Sequence, residues 1–359
     1  MGMQKSDGMN YAPKGKSAPV CGKGDFRVGV IGLDHGHIFG MCNGLVEAGA
    51  EIAGVYDPDP AKVANFRRTF PDAVAISSEE AILSDPAIQL VASAAVPADR
   101  CGLGLKVMAH GKDYFTDKPP FTTLDQIASA RKKVAETNRK YAVYYSERLH
   151  VEAAVFAGRP IADGAIGRVV QVIGMGPHRI SLNQRPEWFF RKEKTGGILV
   201  DLGCHQIEQF LFYSGARDAR VISSKVANYK FKQYPDLEDF GDATLAGDNG
   251  ATNYLRVDWL TPDGLGVWGD GRSFVLGTDG YIEMRKYIDV ARSKDGDQVF
   301  LVDHKGEQHF SVTGQVGFPF FGALILDCLN RTAKAYSQEM FFKAAELAII
   351  AEQAATRIE

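Results

Sequence analysis

Membrane spans are missing from this sequence: no apolar run approaches the roughly 20 residues that a bilayer requires. Cysteine is scarce and scattered. Its five residues, Cys21, Cys42, Cys101, Cys204 and Cys328, contain no C-x-x-C pair, which excludes a disulfide framework and a zinc ribbon. A reducing, cytoplasmic setting is expected. Neither sign of charge dominates: 41 basic against 44 acidic residues give a formal net charge of −3. The basic residues form no block, so nucleic acid and anionic lipid are not expected partners. No H-E-x-x-H is present, and no metal site is expected. Low complexity is confined to residues 1–24, rich in Gly, Lys, Ser and Pro but lacking the apolar stretch of a secretory signal. These residues are expected to form a flexible tail.

What is present is a strict alternation. From Phe26 to about residue 146, short apolar runs (FRVGVIGL, EIAGVYD, AVAI, IQLVASAA, DYFTD, YAVYYS) are separated by helical segments. That order predicts a parallel sheet with helices on both faces. Past residue 146 the pattern changes. Helices over LHVEAAVFAGRPIADG and GILVDLGCHQIEQFLFYSG flank a strand, IGRVVQVIGMGP, and a loop, HRISLNQRPEWFFRKEKTG. Eight successive strand-like runs follow between about 220 and 315, GLGVWGD among them, with turn residues between them. Two helical segments, FGALILDCLNRTAKAY and EMFFKAAELAIIAEQAATRIE, close the chain. The expected fold class is α/β: a Rossmann domain over 25–146, then an α/β domain over 147–359 with a large open, mainly antiparallel sheet and the closing helices.

The first strand runs into VGVIGLDHGHIFG. A strand, a glycine turn and a helix start offer free N–H groups to phosphate. Gly32 suits the tight turn, but Asp34 stands where the close-approach glycine of a dinucleotide fingerprint belongs, and His37 where the third belongs. A carboxylate there repels a pyrophosphate, and Gly36 restores room nearby. The alternative is a plain glycine turn with Asp34 capping the helix. Asp57 ends the second strand 25 residues after Gly32. An acid at that place accepts from both ribose hydroxyls of NAD and disfavours the extra phosphate of NADP. The candidate cofactor set is Gly32, Asp34, His35, Gly36, His37, Asp57, Pro97, Lys118 and Glu147, with NAD expected and NADP the second choice.

Two further segments carry chemistry. In YFTDKPPFTT, Lys118 follows the fifth strand and precedes Pro119, which favours an extended backbone at the lysine. In KTGGILVDLGCHQIEQF, Asp201 and His205 are spaced i, i+4, on one face of a helix, as a carboxylate–imidazole pair that handles protons. A surface pair, or two ligands of a weak metal site, is the alternative.

The degraded glycine turn, DKP in place of E-K-P, and GGILVDLGCH as G-G-x-x-x-D-x-G-x-H resemble the glucose–fructose oxidoreductase/inositol dehydrogenase/rhizopine catabolism (Gfo/Idh/MocA) family. The resemblance runs from about Phe26 to the carboxyl terminus. It implies NAD or NADP as cofactor and hydride transfer at a secondary alcohol or ketone of a sugar, polyol or sugar acid. It also implies that Lys118, Asp201 and His205 are catalytic. His205 is then the base for the hydroxyl proton, Lys118 stabilises the alkoxide, and Asp201 orients the imidazole or a neighbouring hydroxyl. Four residues depart from the family pattern: Asp34 and His37 at glycine positions, Asp117 for glutamate, and Glu208 for aspartate.

Arg148, His178, Arg185 and Trp188 are the candidate substrate residues. Trp188, with Phe189 and Phe190, is equally suited to a core or subunit interface. The open sheet requires a cover, and relatives of this kind imply a homodimer or homotetramer. Two other functions use the same residues: a lyase or glycosidase with tightly held NAD as transient oxidant, and a non-catalytic dinucleotide sensor.

Overall fold

The computed structural model describes residues 13–359. The chain divides into two compact units: Lys16–Tyr144 with Phe318–Phe341, and Tyr145–Gly317 with Phe342–Glu359 and residues 13–15.

The first unit holds β1 (Arg27–Ile31), α1 (His37–Glu47), β2 (Glu51–Tyr56), α2 (Pro60–Thr69), β3 (Val74–Ala75), α3 (Glu79–Ser84), β4 (Leu90–Ser93), α4 (Pro97–Ala109), β5 (Asp113–Asp117), α5 (Leu124–Thr137) and β6 (Tyr141–Tyr144). Its six strands lie parallel in the order β3-β2-β1-β4-β5-β6, a Rossmann sheet. Strands β4, β5 and β6 are buried throughout, as expected for a sheet covered on both faces. Side chains set the helix starts: Asp59 accepts from the Ala61 N–H, Ser78 from Ala81 and Thr123 from Gln126. The strand order reverses between β1 and β4, so a crevice opens beyond their carboxyl ends, where Gly32 and Pro97 lie.

The second unit contains α6 (Ser146–Leu149), α7 (Glu152–Ala162), β7 (Val169–Pro177), α8 (Lys192–Thr195), α9 (Cys204–Ser214), β8 (Ala219–Ala227), β9 (Phe240–Gly247), β10 (Thr252–Asp258), β11 (Arg272–Gly277), β12 (Gly280–Arg285), β13 (Gln298–Asp303) and β14 (Gly306–Ser311). With β15 (Thr356–Ile358) they make a nine-stranded sheet, β14-β13-β12-β11-β7-β10-β9-β8-β15. Only the β7–β10 and β8–β15 pairs are parallel. Helix α9 sits close on β7 because Gly174 and Gly176 leave room: a Cβ on Gly174 would lie 2.4 Å from Oε1 of Gln206.

Between the strands and the carboxyl terminus lie α10 (Pro319–Asn330) and α11 (Gln338–Gln353). Here the structure corrects the sequence reading. Residues 318–341 belong to the first unit, not the second. Phe321 packs where a Cβ on Gly44 would meet its ring at 2.4 Å, and Arg331 pairs with Asp113 at 2.5 Å. The last expected helix stops at Gln353, and the residues beyond it add an edge strand. GLGVWGD is no strand; its Trp268 carbonyl accepts from Arg179 N–H at 2.6 Å and its ring packs on His178. Part of the expected flexible tail, residues 1–12, lies outside the described residues. The remainder is docked: Ser17 N–H donates to Glu47 and Val20 N–H to the Ala48 carbonyl. Gly15 N–H donates to the fully buried carboxylate of Glu152. Among the described residues no helix is long and apolar enough to cross a membrane.

Candidate active site

In the first unit the glycine turn closes on itself. Gly32 has φ +79°, and a Cβ there would stand 2.9 Å from that of Ala95, so only glycine fits. The helix start is not an open anion cradle. The Phe39 and Ile38 N–H groups bond to the Gly36 and His35 carbonyls, and the His37 N–H faces the His35 ring. Lys62 Nζ lies 2.6 Å from Asp34 Oδ1, which neutralises the carboxylate expected to repel a pyrophosphate. The ammonium of Lys62 is held protonated: partial burial opposes its charge, but bonding to Asp34 and the field of Asp57 and Asp59 outweigh that.

Asp57 is buried just beyond β2. It accepts from Leu33 N–H at 2.7 Å and from Asp59 N–H at 2.9 Å, which fixes its carboxylate beside the turn. A cleft of about 600 Å³ opens alongside, lined among others by Gly32, Asp34, Tyr56, Asp57 and Ala98. A glycine at the turn, a fixed acid and a cleft of this size fit the ribose of a dinucleotide.

The two histidines serve another purpose. His37 Nδ1 is 2.8 Å from Asp117 Oδ1, and His35 Nδ1 is 3.1 Å from Oδ2. Arg100 Nη2 donates to the same Oδ2 at 3.1 Å, and Lys118 N–H to Oδ1 at 2.8 Å. Asp117 is fully buried. Burial alone would raise its carboxyl; His37, Arg100 and His35 hold it well below the usual range instead. A carboxylate only accepts, so His37 presents Nδ1–H to it. His37 itself is pushed down, burial outweighing the pull of Asp117, and stays neutral. His35, His37 and Asp117 are spaced as metal ligands would be. Arg100 beside the carboxylate favours the hydrogen-bonded arrangement over a cation. Lys118 follows this hub, buried to 4% exposure, with a cis peptide to Pro119.

In the second unit Asp201 and His205 lie where a helix begins irregularly. Leu199–Gly203 form a π-helical turn that runs into α9. Such turns recur at functional sites because they shift side chains off the regular spacing. Asp201 is half-buried, and His205 is 2% exposed with Tyr145 edge-on to its ring at 6.0 Å.

Four other expected site residues have structural partners. Arg148 was expected at substrate, but its guanidinium forks onto buried Glu208 at 2.7 and 2.9 Å and covers the Phe212 ring. An unpaired buried carboxylate is costly, which explains that choice. Burial raises Glu208 despite the pairing. Glu147, expected beside the cofactor, accepts from Gln206 at 2.8 Å and from fully buried Lys286 at 3.0 Å. Burial opposes its charge, and Lys286 and His178 prevail to lower it. Arg185 donates to the Ile180 carbonyl and stacks over Phe189 and Trp259, so it shapes the loop. His178 lies against Trp259 and Trp268, while Trp188 remains half-exposed. The sequence offered no signal for Arg100 or Lys286, whose partners are distant in the chain.

Comparison with known proteins bears on both groups of residues. Residues 26–145 match the family model of an oxidoreductase family with an NAD-binding Rossmann fold, and 157–283 match the GFO/IDH/MocA C-terminal domain. D-xylose dehydrogenase of Paenarthrobacter nicotinovorans is 27% identical over 131 residues, 35% of this chain and 34% of that protein. The NAD(+) scyllo-inositol 2-dehydrogenase of Bacillus subtilis is 26% identical over 206 residues, 56% of each. The matches thus span about a third and just over half of those two relatives. A solved structure from Erwinia carotovora atroseptica SCRI1043, provisionally named an oxidoreductase, is 51% identical with a TM-score of 0.91, covering 93% of this chain and 100% of that one. Levoglucosan dehydrogenase, solved with NADH and levoglucosan, shares the fold at 18% identity and TM-score 0.74, covering 92% and 98%. The chain belongs to the Gfo/Idh/MocA family of oxidoreductases, and its first unit is that family's NAD-binding Rossmann fold.

Proposed function

We propose that the protein is an NAD-dependent dehydrogenase acting on a secondary alcohol of a sugar, polyol or sugar acid. The observation that carries this reading is the buried Asp117 hub, which fixes the backbone of Lys118 at the carboxyl end of β5. Four groups on one carboxylate serve no surface lysine. The fixed acid Asp57 favours NAD over NADP.

A bound dinucleotide supplies the hydride acceptor. The chain supplies the rest. His205 takes the hydroxyl proton as its C–H bond breaks, a task suited to an imidazole near neutral pH. The Lys118 ammonium stabilises charge developing on the oxygen. Asp201 orients a neighbouring hydroxyl or the imidazole. Trp188 offers a face for a sugar ring to stack on; Arg148, held by Glu208, is not part of this proposal.

The open face of the second sheet supports a homo-oligomer. Tyr254, Ile173 and Phe274 lie in register across β10, β7 and β11, and Tyr254 and Leu276 are each 37% exposed. A contiguous apolar row of this kind is a candidate subunit interface.

The test is a screen of NAD and NADP against sugars, inositols, sugar acids and their keto forms. Net NADH accumulation is expected, and Lys118→Ala should lower kcat by about 10²-fold or more while cofactor affinity is kept. Turnover without net NADH would point to a lyase or glycosidase that recycles its cofactor. Full turnover by Lys118→Ala would remove the lysine from the mechanism.

A further inference from the structure

The first turn that leads to Asp201 and His205 is gripped by two buried acids. Glu238, in the loop before β9, accepts from the Ile198 N–H at 3.0 Å through Oε2. Glu352, on α11, accepts from the Leu199 N–H at 2.9 Å through Oε2. Lys192 of α8 ties the acids together: its ammonium lies 2.7 Å from Glu238 Oε1 and 2.5 Å from Glu352 Oε1. Arg357 of β15 completes Glu238 at 3.1 Å. Glu238 is 2% exposed and Glu352 7%.

The diglycine before the turn is shaped for this grip. Gly197 has φ +99°, and a Cβ on it would lie 2.4 Å from Cδ of Glu352. The carboxylate therefore approaches the backbone through a place that only glycine leaves open. The N–H groups it and Glu238 receive are donors at a helix start, with no intrahelical acceptor of their own. Asp201 N–H bonds back to the Gly197 carbonyl at 2.9 Å, so the gripped backbone and Asp201 form one turn.

We propose that Lys192, Glu238 and Glu352 form a clamp that positions Asp201 and His205 for proton transfer and ties that position to the loop carrying Trp188. The proposal rests on the dehydrogenase reading, in which Asp201 and His205 act on substrate. None of the three clamp residues is assigned contact with substrate; they act through the turn. Two features support a working clamp over an incidental ion pair. The acids are held together at a cost, since burial and then the neighbouring Glu238 raise Glu352 to about 7 against the pull of Lys192. Lys192 also closes the segment that begins at His178 and includes Trp188, so movement of that segment bears directly on the two acids.

The test uses the full-length enzyme with NAD and the alcohol that the screen identifies. Lys192→Met should lower kcat tenfold or more with KM and NADH affinity changed less than twofold. Lys192→Arg, which keeps a bridging cation, should recover kcat to within about threefold of the wild type. In parallel, hydrogen exchange of the Ile198 and Leu199 amides should quicken at least tenfold in Lys192→Met, with strand amides of the first unit unaffected. Glu352→Gln should act in the same direction and serves if Lys192→Met fails to fold. Unchanged exchange overturns the clamp, and so does quickened exchange with an unaltered kcat. Should the wild type turn over no alcohol, the dehydrogenase reading fails, whereas quickened exchange in Lys192→Met still supports the clamp.

Discussion

Nδ1 of His37 lies 2.8 Å from Oδ1 of Asp117. The residue standing at the last glycine position of a dinucleotide fingerprint is thereby bonded to the residue that precedes Lys118. The two departures from the family pattern, histidine in the turn and aspartate in DKP, are partners. A shorter acid at 117 and an imidazole at 37 meet where neither would reach a glycine.

Acid should weaken the fold through this pair, in two stages. His37 is neutral in the folded chain and titrates below its ordinary value of about 6.5, so stability falls as pH drops beneath that value. Asp117 has a depressed carboxyl, so its contribution is complete above about pH 4 and is lost as pH falls through its folded value. Replacing His37 by Ala leaves buried Asp117 short of a donor and should cost about 1–3 kcal/mol at neutral pH. Urea unfolding of wild type, His37→Ala and Asp117→Asn from pH 3 to 8 checks both parts. An Asp117→Asn deficit that is the same at pH 3 and pH 7 would contradict the assignment.

Cofactor choice should follow Asp57. Its carboxylate is held by the Leu33 and Asp59 N–H groups, with the Lys62 ammonium 3.9 Å away. Asp57→Ser removes a fixed negative charge and leaves Lys62 nearby to receive a phosphate. The kcat/KM ratio for NAD over NADP should drop by about tenfold or more, since 1.4 kcal/mol is a factor of ten. Steady-state kinetics with both cofactors reads it directly; a ratio that does not move would assign discrimination elsewhere.

Subunit contact should depend on the open row of the second sheet. Phe274 lies between Ile173 and Glu283 in the register and stacks on Tyr281 at 5.0 Å. Phe274→Asp places a charge in the middle of that face. Sedimentation velocity should show the oligomer of the wild type converted to monomer, with the circular dichroism of the fold retained. A wild type that sediments as a monomer at micromolar concentration would refute the interface.

Much of this was legible because it is written locally. The alternation of apolar runs with helices dictated the parallel sheet, and DKP and GGILVDLGCH marked the segments that carry Lys118, Asp201 and His205. What was hidden depends on residues far apart in sequence. His37 and Asp117 are 80 positions apart and Glu352 lies 153 from the Leu199 N–H it accepts. No periodicity announces such contacts. Arg148 and Glu147 read as site residues because they follow a strand end, yet burial required each to find an opposite charge. GLGVWGD alternates like a strand, but Gly269 passes so close to the Pro177 carbonyl that a Cβ would stand 1.9 Å from its oxygen, and the segment stays a loop. The π-helical turn at Leu199–Gly203 left no mark in composition at all.

Phe320 and Phe321 lie against Phe115 of the first sheet, and Tyr141 N–H donates to Gln338. The nucleotide-binding half is thus finished by residues made long after its strands. On the ribosome, a nascent chain that has just completed β6 still lacks the aromatic lid over its own β5. Roughly 200 further residues must be translated before that half closes, about 10–40 s at ordinary elongation rates. A cut after Tyr144 yields the whole parallel sheet and an unsealed hydrophobic face, so the segment that reads as a self-contained domain is the one least suited to be expressed alone.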